Sequence, residues 1–341
     1  IPADEVFARG RIELSTDALH TVKPLETAIP RGRLTAVTGV SGSGKTTLVL
    51  ESLIPALAAN ASGSALTSHV KRVEAAGIER ANLIDATPIG TNVRSTVATY
   101  AGVHDDLRRA FARTPDAKAA GLKAGDFSYN TGKLRCPVCD GTGSISLDVQ
   151  FLPDVDITCP SCRGSRYSDD ASLIHRPRKD DDGPGCTLPQ LMAMSVDEAL
   201  EATSDLKKVR ERLQTLHDLG LGYLTLGEAT PALSGGEAQR LKLASEMGRV
   251  QDDAVFVFDE PTIGLHPLDV RVLLNVFQAL VEQGATVLVI EHDLDVIANA
   301  DYVIDLGPGG GASGGRIVAV GTPDQIAHDP ASITGRYLSH A

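Results

Sequence analysis

The chain contains no tryptophan, and its 6 tyrosines and 7 phenylalanines make up only 4% of its 341 residues. Stacking of bases on aromatic rings is therefore not an obvious way for it to bind nucleic acid. Positive charge is also in deficit, because 32 lysines and arginines stand against 44 aspartates and glutamates, a net charge of −12. The surface as a whole lacks the basic character that is typical of nucleic-acid-binding proteins.

Long apolar runs are missing as well. The longest, such as ATVLVI at 285–290, have the length of a strand. None approaches the roughly 20 residues that span a bilayer, so we expect no membrane contact. No secretory signal is visible, and a cytoplasmic location is expected. The chain begins at Ile1 rather than at methionine, as expected of a fragment.

Only five cysteines are present, too few for a disulfide scaffold in a chain of this length. Four of them form two Cys-x-x-Cys pairs with the overall pattern C-x2-C-x19-C-x2-C. This spacing is typical of a structural zinc site with four thiolate ligands; free buried cysteines or a redox pair are the alternatives. Cys186 has no such partner and is interpreted as an ordinary thiol. The predicted zinc ligands are Cys136, Cys139, Cys159 and Cys162.

GVSGSGKT at 39–46 matches the phosphate-binding pattern G-x-x-x-x-G-K-[ST], between an apolar strand (33–39) and a segment with helical periodicity (45–58). The backbone N–H groups of such a loop surround phosphate oxygens. We expect Lys45 to reach the β- and γ-phosphates and Thr46 to ligate Mg²⁺. The predicted nucleotide contacts are Gly39, Val40, Ser41, Gly42, Ser43, Gly44, Lys45, Thr46, Thr47 and Asp259.

VFVFDE at 255–260 is an apolar strand that ends in two acids. Buried acids are unfavourable unless a metal or a water compensates for them. We expect Asp259 to hold Mg²⁺, through water, and Glu260 to act as the general base toward the attacking water. His292 follows the strand at 285–290 and is predicted to sense the γ-phosphate, although a lone histidine there is more often structural.

LSGGEAQR at 233–240 is a second anion-binding helix start. One nucleotide does not need two phosphate cradles, so we expect this one to close on a nucleotide held by a different ATPase unit. An N-cap serine before two flexible glycines is the ordinary alternative. The residues predicted to act on the partner site are Ser234, Gly235, Gly236 and Glu237.

Together, GVSGSGKT, LSGGEAQR, VFVFDEPTIGLH and VIEHDLDVI resemble an ABC-type ATPase. Further details resemble the UvrA family of the excinuclease ABC system, more specifically the C-terminal half of its members. They include CPVCDGTG, FLPDVDITCPSCRGSRY and DYVIDLGPGGGASGGRIVAVGTP. The similarity covers nearly the whole chain. Full members of the family have two ATPase units in one chain, so this sequence is expected to be roughly half of one.

The resemblance implies an α/β fold: a P-loop ATPase core of the ABC type with an inserted helical, zinc-binding signature domain. The expected division places a first core part at 1–85 and a second core part at 233–341. The inserted domain is expected at 86–232, with its zinc module at about 127–168. A small hairpin without a core of its own can be held by zinc, so we expect the module to be carried on the ATPase.

The implied function is ATP-dependent recognition of DNA damage in nucleotide excision repair and the SOS response. ATP, Mg²⁺ and Zn²⁺ are the implied cofactors, and Glu260 and His292 the catalytic residues. DNA, a second ABC ATPase unit and UvrB are the implied partners, in a dimer. A UvrA-like paralogue that confers resistance to DNA-binding drugs stays open, because Ala86 stands where the family has glutamine. The ATPase of an ABC transporter is a third alternative, against which the zinc insertion argues.

Support for DNA binding within the sequence itself is weak. Residues 107–179 carry a charge of +4, which becomes −1 when the borders widen to 105–182. Recognition is expected to depend on contacts with the phosphate backbone and on duplex deformability. About a third of the basic residues in this segment are expected to touch DNA. They are Arg108, Arg109, Arg113, Lys118, Lys123, Lys133, Arg135, Arg163, Arg166, Arg176, Arg178 and Lys179.

Overall fold

A computed structural model describes residues 1–150, 152–247, 251–263 and 265–340. The chain forms two compact units, one made of Ile1–Ala86 and Gly248–Ala341 and the other of Thr87–Met247. The strands are β1 (Arg11–Thr16), β2 (Leu25–Pro30), β3 (Leu34–Gly39), β4 (Val70–Glu74), β5 (Arg80–Ile84), β6 (Ser144–Leu147), β7 (Val155–Thr158), β8 (Ala254–Asp259), β9 (Thr286–Ile290), β10 (Tyr302–Gly307) and β11 (Arg316–Gly321). The helices are α1 (Ile54–Ser62), α2 (Val97–Tyr100), α3 (His104–Ala112), α4 (Pro115–Ala119), α5 (Leu188–Ala193), α6 (Val196–Ala202), α7 (Lys207–Asp218), α8 (Gly235–Glu246), α9 (Pro267–Glu282), α10 (Leu294–Asn299), α11 (Pro323–Ala327) and α12 (Ile333–Leu338).

The first unit is built on a six-stranded sheet with the order β11-β10-β3-β9-β8-β5. All neighbouring strands in it are parallel except β10 and β11. β3 and β9 are buried along their whole length, as expected of parallel strands that are covered on both faces. This arrangement confirms the mostly parallel α/β core that the sequence predicts.

The two faces of this sheet pack against different helices. On one face, Leu53 and Leu57 of the helix that follows β3 join a core cluster with Val257 and Leu288. The helix begins at Lys45, is π-helical over Thr47–Leu53 and continues as α1. On the other face, the rings of Phe258 in β8 and Phe277 in α9 lie 4.7 Å apart. Both rings are fully buried, so this contact packs α9 onto β8.

A second, antiparallel sheet with the order β2-β1-β4 also belongs to the first unit. It was not predicted from the sequence. Ile12 and Leu14 of β1 are buried in the main core cluster, while their neighbours in the strand are not. The two-residue alternation in RIELST was therefore the available signal, in a strand of only six residues.

The second unit consists mainly of short helices and contains the β6–β7 hairpin. α7 is amphipathic and buries Val209, Leu213 and Leu216 on one side. Within the described residues, no helix is long and apolar enough to cross a membrane. The three-part division by function stays a prediction.

The contact between α9 and β8 predicts the effect of a core truncation. We expect Phe277→Ala to lower the free energy of unfolding by about 3–5 kcal/mol, because a fully buried ring is removed and leaves a cavity. Val320→Ala, at a position that is 47% exposed, is expected to change it by less than about 0.5 kcal/mol. Urea unfolding followed by circular dichroism measures both. Equal effects would show that the ring does not stabilise this interface.

Candidate nucleotide site, signature helix and four-cysteine cluster

The backbone of the 39–46 loop has a shape that only glycine permits at its first position. Gly39 has φ = 145°, and a Cβ there would lie 2.4 Å from the Leu306 carbonyl oxygen. The loop then turns back, with the Ser43 N–H donating to the Val40 carbonyl at 3.1 Å. Ser43 and Lys45 are buried, while Ser41, Gly42 and Thr46 are exposed and Val40, Gly44 and Thr47 are half-buried.

A second glycine-rich segment, 307–315, lies directly against this loop. Its Gly311 N–H donates to the Gly42 carbonyl at 3.1 Å, and its Gly315 N–H donates to the Ser43 carbonyl at 2.9 Å. These bonds occupy two carbonyls of the loop and none of its amide groups. The segment follows β10, next to β3, so the sheet order brings the two loops together.

Lys45 points into its own loop. Its Nζ donates to the Gly39 carbonyl at 2.6 Å and to the Val40 carbonyl at 3.4 Å, and lies 3.1 Å from His292 Nε2. Burial lowers the pKa of the ammonium group, an effect that the negative charge of Glu260 partly opposes. The cation is therefore held where the sequence predicts phosphate groups.

The predicted acids lie at the same edge of the sheet, since β3, β8 and β9 are parallel neighbours. Burial raises the pKa of Asp259 at the end of β8, and the nearby charges of Glu260 and Asp85 raise it further. Glu260 Oε1 lies 3.1 Å from His292 Nε2. The structure thus brings Lys45, His292 and Glu260 into one chain of contacts.

Three acids near this edge were not singled out from the sequence. Asp85 follows β5 and acts electrostatically on Asp259. Asp305 is buried inside β10 and accepts a hydrogen bond from Ser332 Oγ at 2.6 Å. Glu291 is buried directly before His292. An acid within an apolar run, as in VIDL and VIEH, was the signal that could have found Asp305 and Glu291.

The predicted signature residues form the start of α8, in the second unit. Ser234 is the N-cap: its Oγ accepts from the Glu237 N–H at 3.2 Å, and Glu237 Oε1 accepts from the Ser234 N–H at 2.9 Å. This capping box leaves the N–H groups of Gly235 and Gly236 to be satisfied from outside the helix. The helix start therefore keeps the donors that an anion needs.

Tyr223 is a neighbour of the signature that was not predicted from the sequence. Its hydroxyl donates to Glu237 Oε2, so that both carboxylate oxygens of Glu237 are engaged. Burial and this hydrogen bond raise the pKa of Tyr223 to about 12. These hydrogen bonds stabilise the negative charge of Glu237, which lies beside a helix start that is predicted to bind phosphate.

The four paired cysteines converge in the second unit. Their sulfur atoms all lie within 4.8 Å of one another. Cys136 Sγ is 3.9 Å from Cys159 Sγ, and Cys139 Sγ is 3.6 Å from Cys162 Sγ. Sulfurs bound at about 2.3 Å to a tetrahedral zinc ion would lie about 3.8 Å apart, so this arrangement fits zinc.

The two Cys-x-x-Cys turns share one backbone conformation. After Cys139, Asp140 and Gly141 have φ values of 53° and 80°, and after Cys162, Arg163 and Gly164 have values of 55° and 86°. A Cβ on Gly141 would lie 1.6 Å from the Tyr129 carbonyl oxygen, which excludes other residues there. The repeated turn directs both pairs of thiols toward a common centre.

The surroundings of the cluster suit a centre with excess negative charge. Arg166 is buried beside it, donates to the Gly141 carbonyl at 3.3 Å and lies 5.1 Å from the centre of the Tyr129 ring. Burial raises the pKa of the Cys162 thiol to about 12. Burial also disfavours ionisation of Cys136, but backbone N–H groups facing its sulfur lower its pKa to about 7. Four thiolates around Zn²⁺ would carry a net charge of −2, which the single positive charge of the buried guanidinium would partly offset.

Several of the basic residues predicted to contact DNA are occupied within the protein. Arg176 forms a buried ion pair with Asp205, and Arg166 is buried beside the cysteines. The other residues with ion pairs are Arg108, Arg109, Lys133, Arg135 and Arg178. In the described part of the chain, five of the candidates are exposed and make no such pair: Arg113, Lys118, Lys123, Arg163 and Lys179.

Comparison with known proteins places these features in context. The chain is 45% identical to UvrABC system protein A of Streptococcus pyogenes serotype M6 over 99% of its own length and 36% of the relative. It is 45% identical to the Mycobacterium bovis protein of the same name over 94% of its length and 32% of the relative. The chain thus spans about a third of the curated relatives it matches. No family model matches it.

A solved structure is also similar. UvrA2 from Deinococcus radiodurans superimposes with a TM-score of 0.87 at 41% identity, over 97% of this chain and 39% of that one. This likeness extends over both units. The fold and the family resemblance stated from the motifs are confirmed.

The cysteine cluster makes a quantitative prediction. Purified protein should contain about one zinc ion per chain, because four converging thiols form a closed site. Cys139→Ser should lose most of this zinc, whereas Cys186→Ser, which lies outside the cluster, should retain it. Atomic absorption on protein freed of loosely bound metal measures the content. A correctly folded wild-type protein without zinc would contradict the assignment.

Proposed function

The chain belongs to the UvrA family and corresponds to about a third of UvrABC system protein A. We propose that it is the part of a DNA-damage recognition protein of nucleotide excision repair that binds and hydrolyses ATP. The observation that carries the proposal is the meeting of Lys45, His292 and Glu260 at one sheet edge, with successive separations of 3.1 Å. A cytoplasmic location and a part in the SOS response stay predictions from the resemblance.

ATP binding is assigned to the 39–46 loop. The amide groups of the loop and the start of the following helix present positive potential to the phosphates. Lys45 would exchange the Gly39 and Val40 carbonyls for β- and γ-phosphate oxygens. The exchange replaces the partial negative charges of two carbonyl oxygens by the full negative charges of phosphate oxygens. These favour the charged form of Lys45, whose pKa is lowered by burial in the protein without nucleotide.

Thr46 and Asp259 are the residues that would hold Mg²⁺. The Thr46 hydroxyl is exposed at the helix start, and the Asp259 carboxylate lies at the end of β8, so the oxygen donors suit a hard cation. The raised pKa of Asp259 fits this role, because a nearby cation would restore its charge. Bound Mg²⁺ supplies charge neutralisation on the transferred phosphoryl group.

Hydrolysis is assigned to Glu260 and His292. We assign Glu260 the role of general base, taking a proton from the attacking water. His292 contacts both Glu260 Oε1 and Lys45 Nζ through its Nε2, so it is placed to respond to the γ-phosphate. Nε2 alone cannot form hydrogen bonds with Lys45, Glu260 and a phosphate at the same time. We therefore expect ATP binding to rearrange these contacts.

The signature helix is assigned to the nucleotide of another ATPase unit. Its cradle of Ser234, Gly235 and Gly236 is preformed by the capping box with Glu237. The relatives are almost three times as long as this chain, which leaves room for a second unit in the full protein. UvrB binding and dimer formation are proposed for that full protein.

DNA contact is proposed through the second unit. The exposed cations Arg113, Lys118 and Lys123 lie close together in sequence, around α4, while Arg163 lies on the second Cys-x-x-Cys turn. The zinc cluster would fix this turn and thus the position of Arg163. Contacts of this kind address phosphates rather than bases, which suits recognition of chemically diverse lesions.

A resistance paralogue is a second candidate, favoured by one observation. Ala86 is exposed directly after Asp85, at the end of β5, where the family pattern has a glutamine. An alanine side chain offers no hydrogen bond to metal or nucleotide there. Loading of UvrB by the full-length protein, tested with purified components, distinguishes the repair protein from a paralogue that does not load it.

Removing the proposed base tests the hydrolytic step. Glu260→Gln should bind ATP with nearly unchanged affinity but hydrolyse it about 10²- to 10⁴-fold more slowly, because an amide cannot accept the proton. Phosphate release at saturating MgATP and equilibrium binding measure the two effects. Lys45→Ala serves as the contrast, since it should weaken binding itself. A Glu260→Gln rate near that of the wild type would remove Glu260 from this role.

Salt dependence tests the proposed DNA contact. Affinity for duplex DNA should fall steeply with salt concentration, because phosphate contacts release counterions. Arg113, Lys118 and Lys123 changed together to alanine should reduce the slope of log K against log salt by about two to three. Arg178→Ala, at a side chain already paired with Asp180, is the control and should change it little. A flat salt profile for the wild type would contradict binding through the backbone.

A further inference from the structure

Glu291 is a buried carboxylate that takes no part in the proposed catalytic steps. It follows β9 and is only 2% exposed. Its oxygens accept hydrogen bonds from the Thr262 hydroxyl at 2.7 Å and the Thr262 N–H at 3.3 Å. They also accept from the N–H groups of His292 at 3.1 Å and Asp293 at 3.3 Å. Four donors converge on one buried acid.

These bonds join two segments that carry the proposed catalytic groups. Thr262 lies two residues after Glu260, and His292 is the next residue after Glu291. The same segments are joined once more, by the Glu260 N–H donating to the Ile290 carbonyl at 2.8 Å. The loop after β8 and the loop after β9 are therefore tied to each other on both sides of the Glu260–His292 contact.

The backbone of Glu260 makes this tie necessary. Glu260 has φ = 46°, in the left-handed region that residues other than glycine seldom occupy. Such a conformation persists only when the surrounding structure holds it. On the amino side of Glu260, the hydrogen bond from its N–H to the Ile290 carbonyl holds the backbone. On the carboxyl side, the backbone is held at Thr262 by its hydrogen bonds to Glu291.

We propose that Glu291 is a positioning residue of the ATPase site: by binding Thr262 and the His292 backbone together, it holds the Glu260 carboxylate and the His292 ring in contact. This inference rests on the proposed function of Glu260 and His292. Glu291 itself touches neither nucleotide nor water in this role. It acts through the two loops.

The chemistry of the four donors indicates which substitution is informative. All of them require an acceptor, so an ionised carboxylate satisfies every one. Glu291→Gln has nearly the same shape and keeps an acceptor for the three donors that bind Oε1. Its NH₂ group then faces the Thr262 N–H, which is itself a donor. It should therefore loosen the tie with little change of packing. Burial raises the pKa of Glu291, which fits a charge that these donors must stabilise.

A matched control exists at the opposite end of the same sheet. Asp301 Oδ2 accepts from the Leu34 N–H at 2.8 Å, at the amino ends of β10 and β3. Asp301→Asn also replaces a carboxylate by an amide. Like Glu291, this carboxylate accepts a hydrogen bond from a backbone N–H, but it lies away from the site. Thr262→Val is a milder second variant, because it removes only the hydroxyl bond and leaves Glu291 ionised.

The first measurement is hydrogen exchange of the backbone amides of the chain without nucleotide. In Glu291→Gln we expect about tenfold or faster exchange at Thr262, because its N–H loses its acceptor. Exchange at His292 and Asp293 should rise less, because the oxygen that accepts from them remains but loses its charge. Thr262→Val should show a smaller increase in the same direction. Asp301→Asn should leave these three amides unchanged. Unaltered exchange in Glu291→Gln would overturn the inference.

The second measurement is the division between kcat and nucleotide affinity. Glu291→Gln should lower kcat by about tenfold or more while the Kd for MgATP changes less than about threefold, because only the hydrolytic groups are displaced. In the full-length protein, a wild type without ATPase activity would refute the proposed function, and the exchange data would still decide whether Glu291 ties the loops. An active wild type and a Glu291→Gln variant with unchanged kcat would refute the positioning role alone.

Discussion

The parallel register of β3, β8 and β9 is the constraint on which the candidate site depends. Because these strands run in the same direction side by side, their carboxyl ends deliver Lys45, Glu260 and His292 to one edge. That edge is electrostatically unusual even before a ligand binds. Burial lowers the pKa of Lys45 and raises that of Asp259, so each group is poorly solvated in its charged form. Phosphate groups and a divalent cation would supply the missing counter-charges, and binding of MgATP is expected to follow from this imbalance.

The cysteine cluster stabilises a part of the chain that has few buried apolar side chains. The strands of the β6–β7 hairpin bury almost none of their side chains, and Leu147, Val155 and Ile157 are exposed, so the hairpin has no apolar core. The four converging sulfurs fit a zinc ion, whose bonds would take the place of that core. Arg166, buried beside the cluster, connects it to Tyr129 and hence to the helical part of the unit. In the proposed function, the chain would use one metal for structure in this unit and another for catalysis in the other unit.

Local patterns predicted the fold and the cysteine cluster well, because their signals lie within a few residues. The apolar strand predicted around 255–260 is β8, and two Cys-x-x-Cys pairs were enough to predict the cluster. Contacts between distant residues could not be read in this way. Tyr223 binds Glu237 across 14 residues, and Arg176 pairs with Asp205 across 29, which removes a basic residue from the predicted DNA contacts. The antiparallel β2-β1-β4 sheet was missed because its alternation extends over strands of five or six residues.

The central claim is that the 39–46 loop binds the phosphates of ATP with Lys45 as the cation. A crystal structure of the chain with Mg²⁺ and a non-hydrolysable ATP analogue tests it most directly. We expect Lys45 Nζ to leave the Gly39 and Val40 carbonyls and to lie within hydrogen-bonding distance of β- and γ-phosphate oxygens. Asp259 is expected near the metal, and Glu260 and His292 beside the γ-phosphate. A nucleotide bound elsewhere, with Lys45 still on its own carbonyls, would contradict the account.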